Sequence, residues 1–228
     1  MSVEIDYLER VESAESHGGE VAIHWEAMTT KHVENWQKNI QPSIAEDDGR
    51  PDRKWNWFVF FVGLQMFYNL QQKKPKFLTA FVRLPNGNAV PVGMLMMLIN
   101  YPRIDGLDGG SVFTSYLTSA PESVLRQFGV KNCPKIGRAL VDCGIVTSYQ
   151  AGKNGHTWLH CTPLGKDWLV NFYKDKCKLY RFSKQKALPV KNLIVKDNDG
   201  RHFFTDAPLA KTLTKELDSF RPQPVKAR

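Results

Sequence analysis

The stretch 77–99 constrains this chain more than any other. Phe77-Leu78-Thr79-Ala80-Phe81-Val82-Arg83-Leu84 and Val90-Pro91-Val92-Gly93-Met94-Leu95-Met96-Met97-Leu98-Ile99 are two strand-like runs joined through Pro85-Asn86-Gly87-Asn88. Asn-Gly is the dipeptide that best supplies the backbone angles of a tight hairpin, so the two runs are predicted to pair antiparallel. A third strand over 112–118 follows the glycine-rich turn 105–110 and stops before Pro121.

The remaining elements are read from periodicity and punctuation. Residues 21–25 alternate as a short strand, Thr29 or Thr30 can cap a helix over 31–40, and the acidic stretch 46–51, with its Gly49-Arg50-Pro51, is a loop. The aromatic-rich run from Trp55 to Leu70 is broken by Asn56, Gln65 and Asn69 and is short for a membrane span. It is predicted to be a buried helix ending near Gln72. Ile136, Ala139, Leu140, Cys143 and Val146 recur at helical spacing until Gly152 and Asn154-Gly155 end that helix. A strand over 157–161, a short helix sharing Trp168, Leu169 and Phe172 on one face, and a strand over 179–182 give the order β-β-β-α-β-α-β from the hairpin onward. In the tail, Leu193-Ile194-Val195 and His202-Phe203-Phe204 flank Asn198-Asp199-Gly200 like a second hairpin, and Thr205 or Asp206 with Pro208 starts a last helix. The expected organisation is one domain over 1–183, loosely structured near 1–19, with a C-terminal hairpin and helix extension, 184–228, packed on it.

Composition narrows the class. With 228 residues, 42% hydrophobic and 24% charged, the chain reads as an ordinary globular protein and not as a disordered one. Its net charge of +8 favours an anionic partner: nucleic acid, a membrane surface or a phosphorylated cofactor. Lys174, Lys176, Lys178, Arg181, Lys184, Lys186, Lys191, Lys196 and Arg201 concentrate that charge late in the chain. Cys133, Cys143, Cys161 and Cys177 show no C-x-x-C spacing, and the start lacks a charged region followed by an apolar one. The expectation is a cytoplasmic protein without structural zinc and without membrane association. His156 and His160 lie four apart on a turn and a strand, which argues against a metal site. The neighbours His160 and Cys161 point to opposite faces of a strand, which argues against a nucleophilic pair.

Lys131-Asn132-Cys133-Pro134-Lys135-Ile136-Gly137-Arg138-Ala139-Leu140 follows a strand and opens a helix. It resembles the acyl-CoA pyrophosphate loop of the GNAT superfamily of N-acetyltransferases, whose pattern is Q/R-x-x-G-x-G/A. With Gly137 on the second glycine, Lys135 stands at the first and Asn132 at the Gln or Arg. Trp158-Leu159-His160-Cys161, followed by Asn171-Phe172-Tyr173-Lys174-Asp175-Lys176-Cys177, is similar to the strand and helix that carry the family's tyrosine, with Tyr173 on it. Together with the element order, the likeness covers residues 75 to 182. It implies an α/β (α+β) fold with a mixed, largely antiparallel central sheet flanked by helices. It also implies acetyl-CoA or another acyl-CoA as co-substrate, no metal, direct transfer to an unidentified amine acceptor, and a monomer or homodimer.

The same resemblance assigns the site residues. The pantetheine arm is expected in a gap between two splayed strands, with Tyr116, Leu117, Thr118 and Ser119 on one lip. Lys131, Lys135, Ile136, Gly137, Arg138 and Ala139 are expected at the diphosphate, where the first N–H groups of a helix have no internal partner. Direct transfer needs a neutral nucleophile, donors for the developing oxyanion and a proton for the leaving thiolate. Tyr173 is the expected general acid. The strand 112–118 carries no Glu or Asp, which leaves His160 and Tyr116 as candidates for the base. The acceptor is expected near 41–53, where Glu46, Asp47 and Asp48 would attract a cationic amine, and Trp55 and Trp57 would stack on it or pack. The basic charge keeps open a nucleic-acid-directed protein on the same fold, modifying a base or a charged tRNA, and the degenerate loop a non-catalytic binding protein.

Overall fold

The computed structural model describes residues 5–16, 18–70, 74–190 and 197–223. β1 (Arg10–Glu12) and β2 (Glu20–Ala22) pair antiparallel as a sheet of their own, while β3 (His24–Ala27) joins the edge of the main sheet. The single strand expected over 21–25 is therefore two. The break falls at Ile23, whose N–H is given to the Glu9 carbonyl at 2.8 Å. α1 (Thr30–Asn39) starts where Thr29 accepts the His32 N–H through its hydroxyl, and it buries Val33 and Trp36. It runs into α2 (Gln41–Ala45). α3 (Trp57–Leu70) is the aromatic run, and Trp57, Phe61 and Leu64 recur on its buried face. Its expected last residues, 71–72, lie outside the described residues.

β4 (Lys74–Arg83) and β5 (Ala89–Tyr101) form the predicted hairpin, and Gly87 takes a φ of 86° in its turn. β6 (Ser111–Ser119) flanks β5 on the other side, so β5 is a central strand and is buried from Val90 to Leu98. α4 (Glu122–Gln127), a short helix without a sequence signal strong enough to predict it, leads to α5 (Ile136–Gln150). α5 packs on the sheet face at Gly93 through Ile136 and Leu140, and α3 covers the opposite face through Phe61 against Phe77.

β7 (Thr157–His160) pairs parallel to β6, and α6 (Lys166–Asn171) continues into a wide π-type turn, Phe172–Lys176. β8 (Tyr180–Arg181) and β9 (His202–Thr205) complete a seven-stranded sheet in the order β3-β4-β5-β6-β7-β9-β8. All its pairings are antiparallel except β6 with β7. The C-terminal segment thus contributes a strand inside the sheet, and the strand expected over 179–182 shrinks to two edge residues. β9 takes the place beside β7 because Phe203, fully buried, fills the core there. The hairpin partner expected at 193–195 lies outside the described residues. α7 (Ala207–Glu216) begins with the Asp206 carboxylate accepting the Leu209 N–H at 2.9 Å and has Pro208 in its first turn.

Past α7 the chain is tied back to the core by Arg221. Its guanidinium forks onto buried Asp142 of α5 at 2.7 and 3.0 Å and donates to the Asp6 carbonyl at 2.6 Å. Removing one member of such a pair strands a buried charge, which costs about 3–5 kcal/mol. Arg221→Ala should therefore lower the melting temperature by roughly 6–20 °C for a domain of this size. A change under about 1 kcal/mol in a urea titration would show that the clamp carries little of the stability.

Candidate functional site

The parallel pairing of β6 and β7 covers three residue pairs only, from Val112 with Thr157 to Thr114 with Leu159. On the other side of β6 the register slips, because Thr114 faces Met97, Tyr116 faces Met96, and Ser115 is the extra residue between them. The Ser115 hydroxyl donates to the Met96 carbonyl at 3.0 Å and holds this bulge. A bulge bends its strand, so residues 115–119 turn away from β7, and among the described residues no strand pairs with them on that side. A cavity of about 1030 Å³ fills the resulting opening.

Five structural parts meet around it. Tyr116, Leu117, Thr118 and Ser119 form one wall, and Leu159 and His160 the end of the other strand. Lys135, Ile136, Gly137, Arg138 and Ala139 present the start of α5, while Tyr173 and Phe172 come from the π-type turn and Arg50, Asp52 and Trp55 from the loop before α3. Of the catalytic and coenzyme residues assigned from sequence, Lys131 alone is not among the lining residues; it is exposed, and its carbonyl accepts from Arg126.

No side chain caps α5, and Lys135 occupies the position before it with φ −78° and ψ 69°. The first amides of α5 therefore open toward the cavity without internal partners. The lysine at the family's first glycine needs no positive φ here. Lys135 is anchored by its own N–H to the Glu12 carbonyl at 2.8 Å. A basic rim surrounds the helix start, made by Lys135, Arg138, Lys176 and Lys178, all of which line the cavity. Acids balance part of it, since Glu12 lies 3.5 Å from Lys135, and Glu216 takes both Arg138 (3.5 Å) and Lys178 (2.7 Å). Gly137 has a packing role, because a Cβ there would sit 2.9 Å from the Phe172 ring. Substituting it would test helix packing as much as anion access.

The Tyr173 ring lies buried in the cavity wall beside Phe172 and Phe203. Burial pushes its phenol well above the ordinary tyrosine value, with neighbouring Cys161, Cys177 and Asp52 adding to the shift. It stays protonated at physiological pH and has a proton to give. Tyr116 is stacked on Phe60 at 4.2 Å, with Trp55 edge-on at 5.0 Å, and burial raises its phenol too. A raised phenol is a poor base near neutrality. His160 is held through Nε2 by the Asp199 carboxylate at 3.0 Å. His202, directly across from it in β9, is fully buried, and burial followed by the proximity of His160 lowers its imidazole to about 4, so it is neutral at pH 7.

The acidic side of the site is not where the sequence suggested. Glu46, Asp47 and Asp48 are exposed and outside the cavity, with Asp48 on Arg53 and Asp47 closing a turn at Gly49. The carboxylate of this loop that reaches the cavity is Asp52, 3% exposed, which accepts a bidentate pair from Arg50 at 2.9 and 2.7 Å and a hydrogen bond from the Thr118 hydroxyl. Arg50 also donates to the Ser119 carbonyl at 2.9 Å. This network fastens the loop to the end of β6. Its only trace in sequence is Arg-x-Asp after a Gly-Arg-Pro turn, a pattern that Arg103 and Asp105 repeat at an exposed turn. Trp57 is buried against Trp36, so of the two tryptophans only Trp55 faces the cavity.

The arrangement matches solved structures. An acetyltransferase of the GNAT family from Staphylococcus aureus Mu50 aligns over 82% of this chain and 99% of its own, at 14% identity and a TM-score of 0.51. Apo FdhC, described as a nucleotide-linked sugar GNAT, aligns over 96% of this chain and 100% of its own, at 8% identity and a TM-score of 0.52. This chain has the GNAT fold. A spermidine N-acetyltransferase from Vibrio cholerae, solved with CoA and spermine, also aligns, with 13% identity, over 83% of this chain and 98% of its own, at a TM-score of 0.46. No family model matches the chain, and no curated protein matches it in sequence. Within the GNAT fold the splayed strands are β6 and β7, and the helix opening toward them is α5. Among the described residues no helix is long and apolar enough to cross a membrane.

Because Asp52 and Arg50 hold one rim of the cavity, Asp52→Asn should loosen the loop without unfolding the sheet. The expected cost is about 1–3 kcal/mol, the range for a buried hydrogen bond to a charged group. Limited proteolysis should then cut first within 46–53. Parental stability together with parental resistance in that loop would show that the network is incidental.

Proposed function

We propose that the protein is an acyl-CoA-dependent N-acyltransferase, using acetyl-CoA in the first instance, that transfers the acyl group directly to an amine. The observation that carries this reading is the uncapped start of α5 facing the β6–β7 opening, under a rim of Lys135, Arg138, Lys176 and Lys178. A helix start with free amides and surrounding cations suits a diphosphate. The unpaired edge of β6 from Ser115 to Ser119 suits an extended arm that hydrogen-bonds as a strand would.

In this reading Tyr173 protonates the leaving thiolate. Tyr173 lines the cavity beside Phe172, and burial keeps its phenol protonated at physiological pH. Tyr116 shapes the wall through its stack on Phe60. The acceptor amine arrives neutral and is oriented beside Trp55 and the Arg50–Asp52 pair, so positioning supplies much of the rate; after attack its surplus proton leaves to solvent, and solvent returns a proton to the Tyr173 phenolate.

Isothermal titration with acetyl-CoA tests the coenzyme half. Binding to the parent is expected, and a Lys135→Glu, Arg138→Glu double variant that keeps its melting temperature should bind at least about 10-fold more weakly, or 1.4 kcal/mol. Absent binding to the parent, or equal binding to both, would remove the reading. Retention of the parent on RNA or DNA that falls with salt, without any response to acetyl-CoA, would favour a nucleic-acid-directed protein instead.

The chemical role is read from Tyr173→Phe, which keeps the ring and deletes the hydroxyl. Loss of a general acid should lower kcat by about 10²-fold or more with coenzyme affinity unchanged. Acetyl-CoA hydrolysis serves as the first assay. Unchanged turnover, with the chemical step rate-limiting, would exclude the role.

A further inference from the structure

His160 and His202 sit opposite one another on β7 and β9, with ring centroids 4.5 Å apart. Asp199, in the turn that enters β9, closes the third side, with Oδ2 at 3.0 Å from His160 Nε2 and Oδ1 at 3.8 Å from His202 Nδ1. Among the described residues this is the one group of three metal-ligating side chains with donor atoms close together, all within 4.8 Å of one another. The sequence pointed to His156 and His160 as the pair to weigh. The fold brings His202 to His160 instead.

His202 makes the cluster more than a polar cluster. Its side chain is fully buried, and neither ring nitrogen has a hydrogen-bond partner. Leaving both the donor and the acceptor of a buried imidazole unmet is costly, and such an atom calls for an explanation. Among the described residues no lysine or arginine side chain pairs with Asp199. Arg201 spends its guanidinium on the carbonyls of Cys161, Thr162 and Lys166, and Arg181 spends its own on that of Gly200. The Arg201 N–H at 2.9 Å from Asp199 Oδ1 fixes the carboxylate in the manner of an outer-shell support.

We propose that His160, Asp199 and His202 form a binding site for a divalent transition metal of the zinc class. Two imidazoles and one carboxylate are the borderline donor set that zinc takes, and three protein ligands leave a further position open. The site adjoins the cavity, because His160 lines it. In a tetrahedral site with ligation at about 2.0–2.2 Å two donors stand about 3.3–3.6 Å apart, so donor atoms spread over 4.8 Å must close by about 1 Å. The partly exposed His160 and Asp199 side chains are the ones placed to make that movement. The ion takes the place of the proton in the His160–Asp199 hydrogen bond, and that proton moves to the other ring nitrogen or to solvent.

The test uses full-length protein freed of metal with a chelator, and it needs no coenzyme, so its outcome is independent of the acyltransferase reading. Zinc is titrated against a chromophoric chelator, and cobalt(II) is added separately to read the coordination spectrum. One equivalent of zinc should bind. His160→Gln and Asp199→Asn should each weaken it by roughly 100-fold or more, beyond the 10–100-fold typical of outer-shell losses. Both positions are half-exposed, so both variants should keep the metal-free melting temperature, while His156→Gln should bind as the parent does. His202→Gln adds the third ligand where it folds. Less than half an equivalent bound by the parent, or parental affinity in both His160→Gln and Asp199→Asn, would overturn the site.

Discussion

Everything at the cavity depends on where β6 and β7 stop pairing. Three parallel pairs hold the strands together, and the Ser115 bulge then bends β6 away. A continued ladder would leave no opening and would bury the edge of β6. The divergence costs backbone hydrogen bonds, and other contacts must keep it from closing or fraying. The Arg50–Asp52–Thr118 network holds the far end of β6, and the stack of Tyr116 on Phe60 fixes its middle. α5 enters at a fixed height because Lys135 is bound to Glu12 and Gly137 lets the Phe172 ring lie against the helix. The opening is therefore a preformed feature of the fold, supported from three sides.

Charge follows the same geometry. The chain's excess of positive charge is spread over its surface, yet Lys135, Arg138, Lys176 and Lys178 converge on the start of α5. Glu12 and Glu216 neutralise part of that rim. At β7 the cavity is lined by His160, whose Nε2 is hydrogen-bonded to the Asp199 carboxylate behind it.

Local signals in the sequence carried the local structure. Asn86-Gly87 specified the β4–β5 hairpin, the spacing from Ile136 to Val146 specified α5, and Asp206 with Pro208 specified the start of α7. These depend on neighbours within a few residues, where turn chemistry and periodicity decide. Long-range choices were not legible. Residues 20–27 alternate whether they form one strand or two, and only the competing partners β1 and β4 separate them. β9 enters the sheet between β7 and β8 because Phe203 completes a core built from distant segments. Asp52 looked like one acid among several in a loop, and its burial follows from Thr118, 66 positions away. His202 is 42 positions from His160, and no spacing rule joins them. The motif at Lys135 to Leu140 was legible as a helix start, whereas the absence of strain at Lys135 was visible only in its backbone angles.

In the proposed function the β6–β7 opening and the start of α5 form one coenzyme site. Hydrogen exchange with and without saturating acetyl-CoA tests this, because it reads backbone amides segment by segment. New protection is expected in 115–119 and 135–139 together, with β4 and α7 unchanged. Protection confined to another surface, or none in either segment while acetyl-CoA binds, would contradict it.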